Sequence, residues 1–143
     1  MTATTTFTAP ATRTPAVTAA KSHIGRTGIV AGATAAVATI GFAGLVRAAD
    51  VPLTVSGKPI PPVGFGPVTF VAALIGTAIA VVLARRATRP QRTFLITTLA
   101  LTLVSFGPDL SADAHTATKV ALMLSHVLAA AIVIPALASR LSD

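Results

Sequence analysis

Residues 67–93 read PVTFVAALIGTAIAVVLARRATRPQRT. Eighteen positions without a charge (67–84) run into four arginines, Arg85, Arg86, Arg89 and Arg92, with Pro90 among them. A helix of that length rises about 27 Å at about 1.5 Å per residue, close to the roughly 30 Å of a bilayer's hydrocarbon. A basic, proline-broken segment cannot continue inside lipid, so the chain has to turn back there. The stretch reads as a membrane-spanning helix followed by a loop of the kind that stays in the cytoplasm.

Three more stretches, residues 28–46, 93–108 and 120–139, also lack Asp, Glu, Lys and Arg. The whole chain is 53% hydrophobic and 10% charged, whereas soluble domains carry about 25% charged residues. A soluble core cannot be built from stretches so poor in polar side chains. The expected fold is an all-α membrane protein: a four-transmembrane-helix bundle with a short extracytoplasmic β-hairpin-like loop between helices 1 and 2. Its spans fall at about residues 27–49, 67–85, 93–107 and 117–139 within a domain of residues 26–140.

Residues 1–25 hold eight threonines in the first eighteen positions, with Pro10 and Pro15. So little apolar surface cannot offset the entropy of ordering, and a disordered cytoplasmic tail is expected. Its lack of acids also suits a transit peptide, and Val46-Arg47-Ala48 loosely resembles a signal cleavage site. The run of residues 28–46 exceeds the 7–15 residues of a signal-peptide core, which favours an uncleaved first span.

Orientation follows from the basic residues. Arg13, Lys21, Arg26, Arg85, Arg86, Arg89, Arg92 and Arg140 lie on one side of the threaded chain, and Arg47, Lys58 and Lys119 on the other. The richer side is expected to be cytoplasmic, with both termini there and the plasma membrane as the location. Arg85, Arg86, Arg89 and Arg92 are the topology-determining group. The formal charge of +7 is thereby accounted for by topology and anionic lipid. With no soluble basic face, nucleic-acid binding is not expected. The absence of cysteine excludes disulfides and thiol chemistry.

Gly28, Gly32, Ala36 and Gly44 lie on one i+4 row of span 1, and Ala72, Gly76, Ala80 and Ala84 on one row of span 2. Small residues let helix backbones approach, so these faces can pack within the chain or form a homo-oligomer or partner contact. Between the two spans, Val51, Leu53 and Val55 alternate with Pro52 and Thr54 before a Ser56-Gly57 turn signal. A short proline-edged hairpin fits, with an irregular loop as the plain alternative. Gly107-Pro108-Asp109 reads as the end of span 3, whose brevity would be relieved by continuing past Asp109 or by bilayer thinning. Thr116 or Thr118 is available to cap span 4, which Pro135 should kink.

Chemistry is sparse. His126 is the one ionisable side chain well inside a span, about 10 Å below Lys119. Burial disfavours a charged imidazole, so a neutral ring bonded to a neighbouring helix is expected, with Ser105 as partner. That bond either fixes helix register or marks a proton, ligand or metal site. Asp109, Asp113, His115 and Lys119 form a polar cluster in the outer loop whose spacing matches no strong metal motif. No Asp is placed inside a span, which argues against proton-coupled transport. No catalytic constellation is present, and neither enzyme activity, a cofactor nor a metal is expected.

Val51-Pro52-Leu53 through Pro59-Ile60, Thr69, Gly76, Arg85-Arg86 with Arg89-Pro90, Ser105, Pro108-Asp109, Leu124, His126 and Pro135 together carry a resemblance. Over about residues 26–139 the chain resembles a family of uncharacterised small four-span actinobacterial membrane proteins, a domain of unknown function. The resemblance implies location and topology and brings no activity with it. The leading expectation is a non-enzymatic accessory or envelope-associated protein. The alternative is a binder or carrier of a small lipophilic molecule through a pocket near His126 and Ser105.

Overall fold

The computed structural model describes residues 16–142, with side chains from His23 onward. Four helices dominate: α1 (Ala16–Ala48), α2 (Phe65–Arg86), α3 (Pro90–Ser111) and α4 (Thr116–Ala138). Each contains a segment long and apolar enough to cross a membrane. Four such helices joined end to end bring the beginning of α1 and the end of α4 to the same end of the bundle.

Two boundaries differ from the sequence reading. The first helix starts at Ala16, so residues 16–25 are helical rather than tail, and residues 1–15 lie outside the described residues. The extension is anchored because Ile24, 4% exposed, belongs to one apolar cluster with Leu137, Ala138 and Leu141 at the end of α4. The third helix does not stop at Gly107 but runs through Pro108 to Ser111. Pro108 removes one backbone donor. At the helix end, Lys119 Nζ donates to Leu110 O at 2.8 Å, satisfying a last-turn carbonyl and facing the negative end of the helix dipole.

The connection between α1 and α2 is a hairpin. Strands β1 (Thr54–Val55) and β2 (Lys58–Pro59) pair antiparallel, Thr54 opposite Pro59 and Val55 opposite Lys58. Ser56 and Gly57 have φ of 50° and 72°, the two left-handed residues that a tight two-residue turn with the native strand twist requires. Three contacts seat the hairpin on the helix ends. Ser56 N–H donates to Asp113 O at 2.7 Å, and Thr118 Oγ1 donates to Pro52 O. Leu53 is buried with Ala43, Phe65 and Ala121. Thr118 is thus committed to the hairpin; His115 occupies the N-cap position of α4 without a side-chain cap bond.

Packing between α1 and α2 is close because small residues meet. A β-carbon at Gly28 would collide with Thr77, and one at Gly32 would come within 3.0 Å of Ala73 Cβ. Thr39 Oγ1 and Thr69 Oγ1 share a hydrogen bond at 3.1 Å across the same interface. Gly28 and Gly32 of the small-residue row of α1 are therefore covered within the chain, while Gly44 faces open space. On α2 the contacting row is Gly66, Ala73, Thr77 and Ala80, not Ala72, Gly76, Ala80 and Ala84: Ala72 and Ala84 are exposed. The bulky apolar residues point outward instead, with Val37, Leu45, Leu103 and Val104 all 67–73% exposed.

This interface makes a selective prediction. Gly28→Ala should lower stability in mild detergent by about 1–3 kcal/mol, the usual cost of overpacking. Gly44→Ala, where nothing lies within 4 Å of the added carbon, should leave the thermal midpoint unchanged or slightly raised. Equal midpoints for the two variants would contradict the close α1–α2 contact.

Candidate functional site

His126 lies on the part of α4 that faces α3, about ten residues in from the start of the helix. In a helix the Cα–Cβ bond tilts toward the N-terminus. Because α3 and α4 are antiparallel, a side chain near the end of α3 leans into the bundle while His126 leans back toward it. Asp109 is the residue so placed, and its Oδ2 stands 3.0 Å from His126 Nδ1.

The partner of His126 is thus Asp109, not Ser105. Ser105 Oγ donates to Thr102 O of its own helix at 2.6 Å, which removes the hydrogen that the expected bond to the imidazole would have used. Asp109 is likewise not an outer-loop residue. Its side chain is 11% exposed, against 39% for His126. The expectation that no carboxylate enters the bundle is corrected with it, because continuing α3 past Pro108 turns Asp109 inward.

The electrostatics of the pair are incomplete. His126 Nδ1 is also 3.0 Å from Leu122 O. A carbonyl only accepts, so that bond places the ring hydrogen on Nδ1 and aims it along α4. Asp109 Oδ2, at the same distance, is buried without a hydrogen bond of its own. An ionised carboxylate left in that state costs several kcal/mol. Phe106 closes one side, edge-on to the imidazole with ring centroids 6.4 Å apart.

His126 and Ser105 do share a cavity of about 250 Å³ bounded by α2, α3 and α4. Its wall is apolar apart from a line of hydroxyls. Thr98, Thr102 and Ser105 each donate to carbonyls of α3, to Phe94 O, Thr98 O and Thr102 O in turn. They therefore offer only oxygen lone pairs to the cavity. His126 Nε2 makes no hydrogen bond among the described residues and is the one further polar atom of the ring.

The remaining candidate residues separate. Asp113 and His115 are exposed in the link between α3 and α4, and Lys119 is taken up by Leu110 O. Among the described residues no three His, Cys, Asp or Glu side chains are grouped to hold a metal. Arg85 and Arg86 fall in the last turn of α2, where the helix dipole favours cations, and Arg89 and Arg92 flank the start of α3. The sequence reading places Asp109 in the outer loop because Gly107-Pro108 reads as a stop; the brevity of that span, fifteen residues, is the signal there for a helix that continues past Asp109.

His126→Ala should lower unfolding stability in detergent by about 1–3 kcal/mol, since it leaves a buried carboxyl group without its neighbour. Asp109→Asn added to it should restore part of that loss. A double variant no more stable than His126→Ala alone would show that the two side chains do not interact.

Among known proteins, no curated protein and no solved structure matches this chain. Residues 19–143 match the model of a family of unknown function (DUF6069). At nearly the full length of the described structure, that match makes the chain a member of this family.

Proposed function

We propose that this protein is a non-enzymatic, multi-pass protein of the plasma membrane that binds or carries a small lipophilic molecule in the cleft beside His126 and Ser105. The observation that carries this reading is the cleft itself: about 250 Å³, mostly apolar, with one imidazole on its wall. Ligand sites are typically concave, apolar and fitted with a few polar groups. The volume lies just below the usual 300–1,000 Å³, which limits the ligand to a compact molecule.

The wall also limits the ligand's chemistry. With Nδ1–H directed to Leu122 O, a neutral His126 presents Nε2 as an acceptor, and the three hydroxyls of α3 are acceptors too. A lipophilic alcohol or phenol supplies the missing donor. Ile75 and Leu101, 58% and 49% exposed, flank the cleft and suit lateral entry from lipid.

A second reading, an accessory or envelope-associated protein, draws on the hairpin. Its tip residues Ser56, Gly57, Lys58 and Pro59 are exposed while the strand pair is fastened to the helix ends. For either reading, the excess of Arg and Lys at the end of the bundle carrying the termini supports cytoplasmic termini.

Gly76 lines the cleft, and a β-carbon there would meet nothing within 4 Å. Gly76→Leu should therefore fill the cleft while leaving the fold intact. Protein purified in mild detergent should retain a lipophilic small molecule detectable by native mass spectrometry, and Gly76→Leu should retain at least tenfold less. Equal retention, or none in either, would contradict ligand binding. Separately, an enzyme reporter that works only in the cytosol, fused after Asp143, should be active; activity only from a reporter that works outside would invert the orientation.

A further inference from the structure

The end of the bundle that carries both termini holds a second cavity, of about 480 Å³, between α1 and α4. Three basic side chains line it, His23 and Arg26 from about two to three turns into α1 and Arg140 from just beyond α4. Deeper in, the lining turns apolar. Val30 is one turn below Arg26, and Ile132 and Ala136 lie one to two turns below Arg140, a descent of about 6–12 Å. The described acids Asp50, Asp109 and Asp113 all sit at the opposite end of the helices, so no carboxylate among the described residues answers this charge.

The geometry points to a binding site for one anionic phospholipid. Its phosphate is held by Arg26 and Arg140 with His23 beside them, and the upper part of an acyl chain runs along Val30, Ile132 and Ala136. Guanidinium groups match phosphate oxygens in planar, paired hydrogen bonds, which a diffuse basic surface does not provide. Charge complementarity selects an anion, and the apolar lower half selects an anion with a hydrocarbon tail. A free phosphate gains nothing from that lower half. The last turn of α2, with Arg85 and Arg86, lies at the same end of the bundle but does not contribute to this cavity, which makes it an internal reference for unspecific attraction.

The test uses full-length protein in phosphatidylcholine nanodiscs titrated with phosphatidylglycerol, with bound lipid read by native mass spectrometry. The wild type should retain one phosphatidylglycerol in preference to phosphatidylcholine. At tenfold or more for each lost charged hydrogen bond, Arg26→Gln with Arg140→Gln should weaken retention at least about 100-fold. Arg85→Gln with Arg86→Gln removes the same charge and should change it less than about twofold. Ala136→Phe, which fills the apolar half and leaves every charge in place, should also weaken retention about tenfold. Equal losses from the two arginine pairs would reduce the site to surface electrostatics and overturn the proposal. No effect of Ala136→Phe, or displacement of the lipid by millimolar inorganic phosphate, would overturn it as a site for a lipid.

Discussion

Close contact between α1 and α2 at Gly28 and Gly32 is the constraint on which this fold depends. In water, helices associate because apolar side chains leave the solvent. Where the surroundings are themselves apolar that drive vanishes, and association rests on van der Waals contact and interhelical hydrogen bonds. The interior is composed accordingly. Ala35 and Ala80 are fully buried, Thr77 and Ala73 lie against the two glycines, and Thr39 and Thr69 join hydroxyls between the helices. Many valines and leucines of the helices face outward, while Phe94 and Leu137 are the large side chains fully buried. A soluble bundle with the same backbone would reverse that arrangement.

Against so apolar a background, one carboxyl group carries unusual weight. Asp109 enters the bundle because α3 passes through Pro108 without ending, and it meets an imidazole whose own N–H is directed elsewhere. Replacing such a pair by apolar residues commonly stabilises a protein, so a buried ion pair is weak evidence of a purely structural role. Here the pair is also imperfect, with an oxygen lacking a hydrogen bond, and it borders a cleft.

The helices were legible in the sequence because charge-free runs of bilayer length leave no other solution, and the hairpin because Ser56-Gly57 separates two proline-edged strand segments. The contact face of α2 was not. Alanine, glycine and threonine occur all around that helix, so Ala72, Gly76 and Ala84 look as suitable for packing as Gly66, Ala73 and Thr77. A helix without a polar face has no periodicity to reveal which side is covered. His126 was legible as the ionisable side chain well inside an apolar stretch, but its partner depended on whether Gly107-Pro108 ended α3. Proline disfavours a helix interior without forbidding it, and the hydrogen bond from Lys119 to Leu110, remote in sequence, completes the helix end beyond it.

The same small side chains that let α1 and α2 touch leave hollows where α4 meets its other neighbours. Ala129 and Ala130 border the cleft beside His126, and Ala136 borders the cavity beside Arg26. An apolar void of 250 Å³ costs about 6 kcal/mol by the relation for enclosed cavities, comparable with the whole net stability of a small domain. A cleft open to a bilayer avoids that cost by admitting acyl chains. A specific ligand there competes with lipid, and its apolar contacts replace equivalent ones. The difference in affinity then rests on the one thing an acyl chain cannot provide, a hydrogen bond to the polar atoms of the cleft wall.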